Sequence, residues 1–327
     1  MTAAIVIPSI RVDPLLVRCV VECRRTCPDN EIIVLVDDGT GAERIDAIAE
    51  VIVTGAATIG AKRNLGAEKT SAEFLAFIDS DAYPSDGWLQ NAIRLLEADP
   101  SFDAIGGPNV SPPVESTSER HVGLAHNSVL VAGWWKYRRD PHAHAREVGA
   151  LPSCNLIVRR DDYLAIGGMN EELFTAEDTD FCRRFTRSGR RIYFSPEVLV
   201  FHKNRDLQAF VVQRFTFGVA MVPLLRKGQA PDLGYTTASG VLALFVLFLA
   251  SGPLGFVMPR WGRAWAATVL AYTGLLAVEA VRQADDLADA PGTMIALGIG
   301  NLAPGVGVVL KALGASPDLR GIYRNDT

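Results

Sequence analysis

Two aspartates one residue apart, Asp79-Ser80-Asp81, close the apolar run Phe74-Leu75-Ala76-Phe77-Ile78. Carboxylates at that spacing repel each other unless a cation lies between them. Oxygen ligands of this kind suit Mg²⁺ or Mn²⁺, and an ion held by them keeps open positions for a diphosphate whose departing charge it can neutralise. A solvated turn is the plainer reading of such a triplet, but its place at the end of a buried strand favours chemistry. Asp37-Asp38-Gly39 closes a second apolar run in the same way. It could accept hydrogen bonds from a nucleobase or ribose, or merely close an Asx turn.

Lys62-Arg63-Asn64 falls near the start of an expected helix, where a basic pair could attract phosphate or simply face solvent. Glu177-Asp178 marks the start of another helix. One carboxylate there could cap the helix, and the other could take a proton from an attacking hydroxyl. His202 closes a short strand and could add a metal ligand, although a lone histidine is more often structural. Cys19, Cys23 and Cys27 recur every four residues and predict a helix face packed with small apolar side chains, since no histidine follows at zinc-ligand spacing. His142 and His144 sit in a basic stretch and receive no role, and Trp134-Trp135 could stack on a sugar, meet a membrane interface or pack.

These residues need a scaffold that brings strand ends together, and the pattern supplies one. Strands are expected at 3–8, 31–36, 51–53, 74–78, 155–158, 191–194 and 198–202. Helices are expected at 14–26, 43–50, 60–69, 88–98, 160–166 and 178–188, and 106–152 reads as loop. Near-continuous apolar strands alternating with helices predict an α/β, Rossmann-like, mostly parallel sheet covered on both faces, with ligand outside the carboxyl ends of the strands.

The 327 residues are 49% hydrophobic with a formal net charge of −5, and no basic block is long enough to make a nucleic-acid face. Charges are dense up to Asp232 and then thin out; none occurs between Asp232 and Arg260. That exceeds the roughly 20 apolar residues that cross a bilayer. Further apolar stretches at 264–281 and 293–310 bring the expected count to three transmembrane helices. The expected domains are therefore 1–230 and a membrane region, 231–327. Arg214, Arg226 and Lys227 favour a cytoplasmic start for the first span, while Arg260 and Arg263 pull the other way. No secretory signal is read at the N-terminus, so the first domain is expected in the cytoplasm.

In order, the strand ending on Pro8, Asp37-Asp38-Gly39, Arg63-Asn64, Asp79-Ser80-Asp81, Gly167-Gly168, Glu177-Asp178 and His202 resemble the inverting glycosyltransferases of family 2, with the GT-A fold. The likeness covers about the first 205 residues. Gln213-Arg214-Phe215 and the hydrophobic tail are similar to the membrane-associated branch that builds exopolysaccharide, the succinoglycan glucosyltransferase type. The resemblance implies donor or nucleotide contacts at Pro8, Asp37 or Asp38, Arg63, Asp79, Ser80, Asn155 and Glu177. It implies a divalent metal (Mn or Mg) at Asp79, Asp81 and His202, and Asp178 as catalytic base. Ser153-Cys154-Asn155 would line the donor-sugar or acceptor side.

A nucleotide-sugar donor, a lipid-linked or glycan acceptor and a multi-pass inner-membrane location follow from the same likeness. Two features depart from it. Pro8-Ser9-Ile10-Arg11 lacks the acidic residue common after the first proline, and the Gln-x-x-Arg-Trp motif of processive synthases is missing, which favours one sugar per encounter. A nucleotide-sugar-binding scaffold without activity is the alternative from another class. A nucleotidyltransferase would need a glycine-rich phosphate loop that the N-terminus does not offer.

Overall fold

Side chains of a strand alternate between faces, so a run that is apolar at every position is stable only where both faces are covered. In the computed structural model, β1 (Ala3–Pro8), β2 (Glu31–Val36) and β4 (Phe74–Ile78) are such runs, buried almost throughout. Ile5, Ile7, Val34, Val36, Ala76 and Ile78 face one core, with Leu16, Cys19 and Cys23 of α1 (Pro14–Thr26) and Trp88 of α3 (Trp88–Ala98). Val6, Ile33, Leu35, Leu75 and Phe77 face the other, with Ala67 of α2 (Ile59–Lys69) and Phe181 and Phe185 of α7 (Glu177–Arg187). Each large apolar side chain buried in this way stabilises the fold by about 1.5–3 kcal/mol. The cysteine face of α1 is part of this core, as its spacing predicts.

The structure describes residues 2–226 and 233–315. They divide into a first unit, Met1–Pro112 with Tyr137–Lys203, and a second, Pro113–Lys136 with Asn204–Thr327. The expected boundary at 230/231 and Lys227 lie outside the described residues.

In the first unit, an eight-stranded sheet runs β3-β2-β1-β4-β9-β6-β10-β8. Its remaining strands are β3 (Glu50–Val53), β6 (Ala104–Gly106), β8 (Arg146–Val148), β9 (Asn155–Arg159) and β10 (Ile192–Phe194). Pairing is parallel from β3 through β4 and between β6 and β10, while β9 runs antiparallel to β4 and β6. A small sheet adds β5 (Ala82–Pro84), β11 (Val200–His202) and β7 (Asn109–Val110). Between the two sheets the chain passes through Gly106-Gly107. A β-carbon on either would collide with the carbonyl of Asn155 or of Val198, so this crossing requires glycine.

Two expectations of local structure change. The segment 43–50 is not a helix but a 3₁₀ turn at Ala42–Arg44 followed by further turns. Its charged residues offer only Ile45 and Ala49 for burial, too short a stripe to hold a helix against the sheet. The stretch 106–152, expected as loop, contains α4 (Thr117–His126) and α5 (Val129–Ala132), both in the second unit. Helix α4 opens on a capping box, Ser116 with Glu119, a signal the sequence carries in plain view.

The second unit also holds α8 (Leu207–Arg226), α9 (Leu233–Ala250), α10 (Pro259–Gln283) and α11 (Ala290–Ala312). Among the described residues, Leu207–Arg226, Pro259–Gln283 and Leu287–Ala312 are long and apolar enough to cross a membrane. The count of three agrees with the sequence reading, but α9, which carries the first expected span, is described in its side chains only from Ala238 and so is not in this set. Helix α8 joins it despite Arg214, whose guanidinium is held by the Gly300 carbonyl (3.0 and 3.1 Å). The long uncharged run after Asp232 breaks at Ser251, where Gly252-Pro253 opens a 3₁₀ turn. Helices α8 and α11 meet through small residues: a β-carbon on Gly218 would overlap the Pro304 carbonyl, and one on Gly307 the Phe215 carbonyl.

Candidate active site

The order β2-β1-β4 sets the carboxyl ends of three parallel strands side by side, and each end carries a residue singled out by the sequence: Asp37, Pro8 and Asp79. Helix α2 begins above them, its N-terminus capped by the Thr58 hydroxyl. Consecutive residues of its first turns then reach different strand ends. Lys62, fully buried, donates to the Ser9 carbonyl and pairs with Asp37. Arg63, 2% exposed, donates to Asp79 Oδ1 (2.6 Å) and to Glu177 Oε1 (2.8 Å). Burial opposes the guanidinium charge, but Asp79, Glu177 and Asp178 together more than restore it, and its pKa lies above the ordinary value.

Glu177 and Asp178 arrive at the start of α7, preceded by Ala176 in the left-handed region (φ 63°), the sole non-glycine residue among those described with positive φ. Such a backbone is costly for a residue with a side chain and persists where its surroundings enforce it. Neither carboxylate caps the helix, because Ala176 occupies that position and no side chain bonds there. Glu177 instead pairs with Arg63. Asp178 accepts from the Ser153 amide (3.3 Å) through Oδ2 and from the Thr179 amide (2.6 Å) and hydroxyl (3.2 Å) through Oδ1. Burial, and then the neighbouring Asp178 charge, push the Glu177 pKa up to about 7 against the pull of Arg63.

The small sheet brings the imidazole. His202 is paired in register with Ala82, beside Asp81, and its Nε2 lies 3.4 Å from Asp81 Oδ1 and 4.0 Å from Asp79 Oδ2. Burial disfavours its positive charge, but Asp81 and Asp79 outweigh burial and the opposing Arg139, so its pKa is raised. With Arg63 on Oδ1 of Asp79, the other oxygen is the one turned to His202. Asp79, Cys154 and His202 each offer a ligand atom, and these lie within 4.8 Å of one another. Burial and three carboxylates, Asp79, Asp81 and Asp178, hold the Cys154 thiol well above its usual pKa. Clustered oxygen and nitrogen donors, with one carboxylate edge turned inward, fit a divalent cation.

The structure thus gathers Asp79, Asp81, His202, Arg63, Glu177 and Asp178 at one end of the sheet, with half-buried Ser80 between the aspartates. Other expected residues fall into different roles. Asn155 is fully buried; its Nδ2 donates to the Val198 carbonyl (2.7 Å) and its Oδ1 accepts from Trp88 Nε1 (2.8 Å). Its side chain is committed to joining β9 to its neighbours. Arg63 pairs with two carboxylates, Asp79 and Glu177. Asp38 is exposed and accepts from the Thr40 amide (2.9 Å), an Asx turn. Lys62 and Cys154 are the members the sequence underrated. Lys62 follows from its place beside Arg63 on a helix covering aspartate-bearing strand ends, and Cys154 from its position just before a strand.

The model of the family described as "Glycosyl transferase family 2" matches residues 4–163, a stretch that contains Asp37, Arg63, Asp79 and Asp81 and stops short of Glu177, Asp178 and His202. The pre-mycofactocin glycosyltransferase of Mycobacterium tuberculosis is 28% identical over 196 residues, 60% of this chain and 41% of that protein. The succinoglycan biosynthesis protein ExoA of Rhizobium meliloti is 25% identical over 233 residues, 67% of this chain and 64% of that protein. The chain therefore spans 41% and 64% of the lengths of these two relatives.

Among solved structures, a mannosyltransferase from Pyrobaculum calidifontis, in complex with GDP-Man and Mn²⁺, superposes with a TM-score of 0.56 at 16% identity, over 95% of this chain and 87% of that one. The shared fold is GT-A, with its mostly parallel central sheet. By the family match, residues 4–163 resemble a glycosyltransferase domain of family 2, and the relatives named above are themselves described as a glycosyltransferase and a succinoglycan biosynthesis protein.

Proposed function

We propose that the chain is an inverting, divalent-cation-dependent hexosyltransferase that moves a sugar from a nucleotide-sugar donor to a hydroxyl of a glycan, held on a lipid carrier, in envelope or exopolysaccharide synthesis. The observation that carries this reading is the cluster built on Arg63, which locks Asp79 and Glu177 in place while Asp81, His202 and Asp178 remain around the same strand ends.

Each residue then has a task. Asp79, Asp81 and His202 hold a cation, Mn²⁺ or Mg²⁺, which supplies charge neutralisation for a departing nucleoside diphosphate. Asp178, fixed by the Ser153 amide, accepts the proton of the acceptor hydroxyl as that oxygen attacks the anomeric carbon. Glu177 and Arg63 hold the neighbouring carboxylates in register. Pro8, Asp37 and Ser80 border the nucleotide, with Asp37 oriented by Lys62. The complexed mannosyltransferase supports donor and cation, and the relative named for succinoglycan biosynthesis supports a polysaccharide product.

The helices from Leu207 onward make the membrane region in this reading, which begins earlier than charge density alone indicated. Outward Leu270, Leu275, Val278 and Val281 on α10 suit acyl chains. The catalytic unit would face the cytoplasm from the inner membrane. The test is the anomeric configuration of the transferred sugar, read by NMR with an α-linked donor. A β-linked product made by the wild type and lost in Asp178→Asn supports the reading, and a retained α-linkage contradicts it.

A further inference from the structure

Residue Asn155 of β9 pairs with Ile78 of β4, so the residue before it, Cys154, is carried to the strand end beside Asp79. Cys154 is 7% exposed. Two other buried thiols have hydrogen-bond acceptors: Cys19 donates to the Asp79 carbonyl (3.5 Å) and Cys182 to the Leu151 carbonyl (3.5 Å). Among the described residues, the Cys154 thiol has no hydrogen-bond partner. What it meets are a carboxylate oxygen and an imidazole nitrogen, all three ligand atoms lying within 4.8 Å of one another.

Sulfur is out of place in a site built only for a hard cation. Carboxylates and water suit Mg²⁺ and Mn²⁺, whereas thiolate and imidazole together suit Zn²⁺ and its heavier relative Cd²⁺. We propose that Cys154 lets this site take a thiophilic divalent cation, Zn²⁺ or Cd²⁺, through Cys154 Sγ, Asp79 and His202, in competition with the hard cation, and that the protein so loaded is arrested. As the sulfur–metal bond forms, the thiol proton passes to solvent. Cation binding stands on the cluster alone. Arrest of transfer rests on the function proposed above.

The experiment uses the full chain in detergent and Co²⁺ as optical probe. Wild type should develop a thiolate-to-cobalt charge-transfer band in the near ultraviolet that added Zn²⁺ removes. Cys182→Ser, whose thiol is bonded to the Leu151 carbonyl and is not one of the three clustered ligands, should keep the band. Cys154→Ser and His202→Gln should lose it while retaining a cooperative thermal transition. Zn²⁺ affinity, from displacement of Co²⁺ or of a chromogenic chelator, should fall by more than about tenfold in Cys154→Ser, the least that even an outer-shell partner of a metal is worth.

A folded wild type without the band overturns the proposal. So does a band that survives Cys154→Ser, which would assign it to the Cys19, Cys23 and Cys27 face. A Cys154-dependent band in a protein that transfers no sugar would keep the cation site and refute the transferase reading. Transfer that proceeds undiminished in Zn²⁺-loaded protein would refute the arrest.

Discussion

Arg63→Met removes the cation that holds Asp79 and Glu177 while leaving most of the buried stem. Breaking one side of a buried ion pair costs about 3–5 kcal/mol when the remaining charge has no escape. Here both remaining carboxylates have one. Asp79 is 34% exposed, so water recovers part of a charge-assisted bond, and its loss costs about 1–2 kcal/mol. Glu177 escapes by taking a proton. Because its pKa already stands at about 7, the cost of neutralising it near pH 8 is limited to about 1.4 kcal/mol and vanishes near pH 6.

The substitution should therefore destabilise by about 3 kcal/mol near pH 8 and by about 2 kcal/mol near pH 6. At about 2–4 °C per kcal/mol for a domain of this size, Tm falls by roughly 6–12 °C and 4–8 °C. The assay is thermal unfolding in detergent at both pH values, with Arg63→Met/Glu177→Gln alongside. The double variant should abolish the pH dependence of the loss. Equal losses at both pH values, or no loss near pH 8, would refute the account of Arg63 as the residue that compensates Glu177.

Glu177→Gln alone should reverse a pH trend. A carboxyl raised in the folded state stabilises below its unfolded pKa, and that contribution is lost as pH rises through about 7, so the variant gains on wild type by up to about 3 kcal/mol between about pH 4.5 and 7. Chemical denaturation at stepped pH measures it. Asp178→Asn should lower transfer by roughly 10²–10⁴-fold with donor affinity kept, as measured by product formation beside equilibrium donor binding. Gly218→Val should prevent α8 and α11 from closing and sharply reduce folded yield in size-exclusion chromatography, whereas Gly274→Ala on α10, with open space at its β-carbon, should be tolerated.

Much of this architecture could be read directly. Runs such as 74–78 are apolar at every position because both sheet faces are buried, and their terminal aspartates marked the rim where the site lies. What escaped was the identity of partners across the fold. Arg63 near a helix start reads as a phosphate contact, and only the pairing of α2 with β4 and α7 turns it into a carboxylate clamp. Asn155 reads as a ligand because it is polar at a strand end, and its hydrogen bonds to Trp88 and Val198 are long-range facts no local pattern carries. Helices α4 and α5 were hidden because polar and basic residues surround them, although the Ser116–Glu119 box announced α4. Helix α8 was concealed by the polar pair Gln213 and Arg214; the Arg214 guanidinium is answered by the Gly300 carbonyl of another helix in the same unit.

The central claim is that the clustered carboxylates and His202 hold a cation against a nucleotide sugar. It is tested most directly by thermal unfolding of the detergent-solubilised chain against a panel of nucleotide sugars, with and without Mn²⁺. A donor at a hundred times its dissociation constant adds about 2.7 kcal/mol to the folded state. The account predicts stabilisation by one donor, dependent on Mn²⁺ and lost in Asp81→Ala. A folded wild type that no donor stabilises, or stabilisation unchanged in Asp81→Ala, would contradict it.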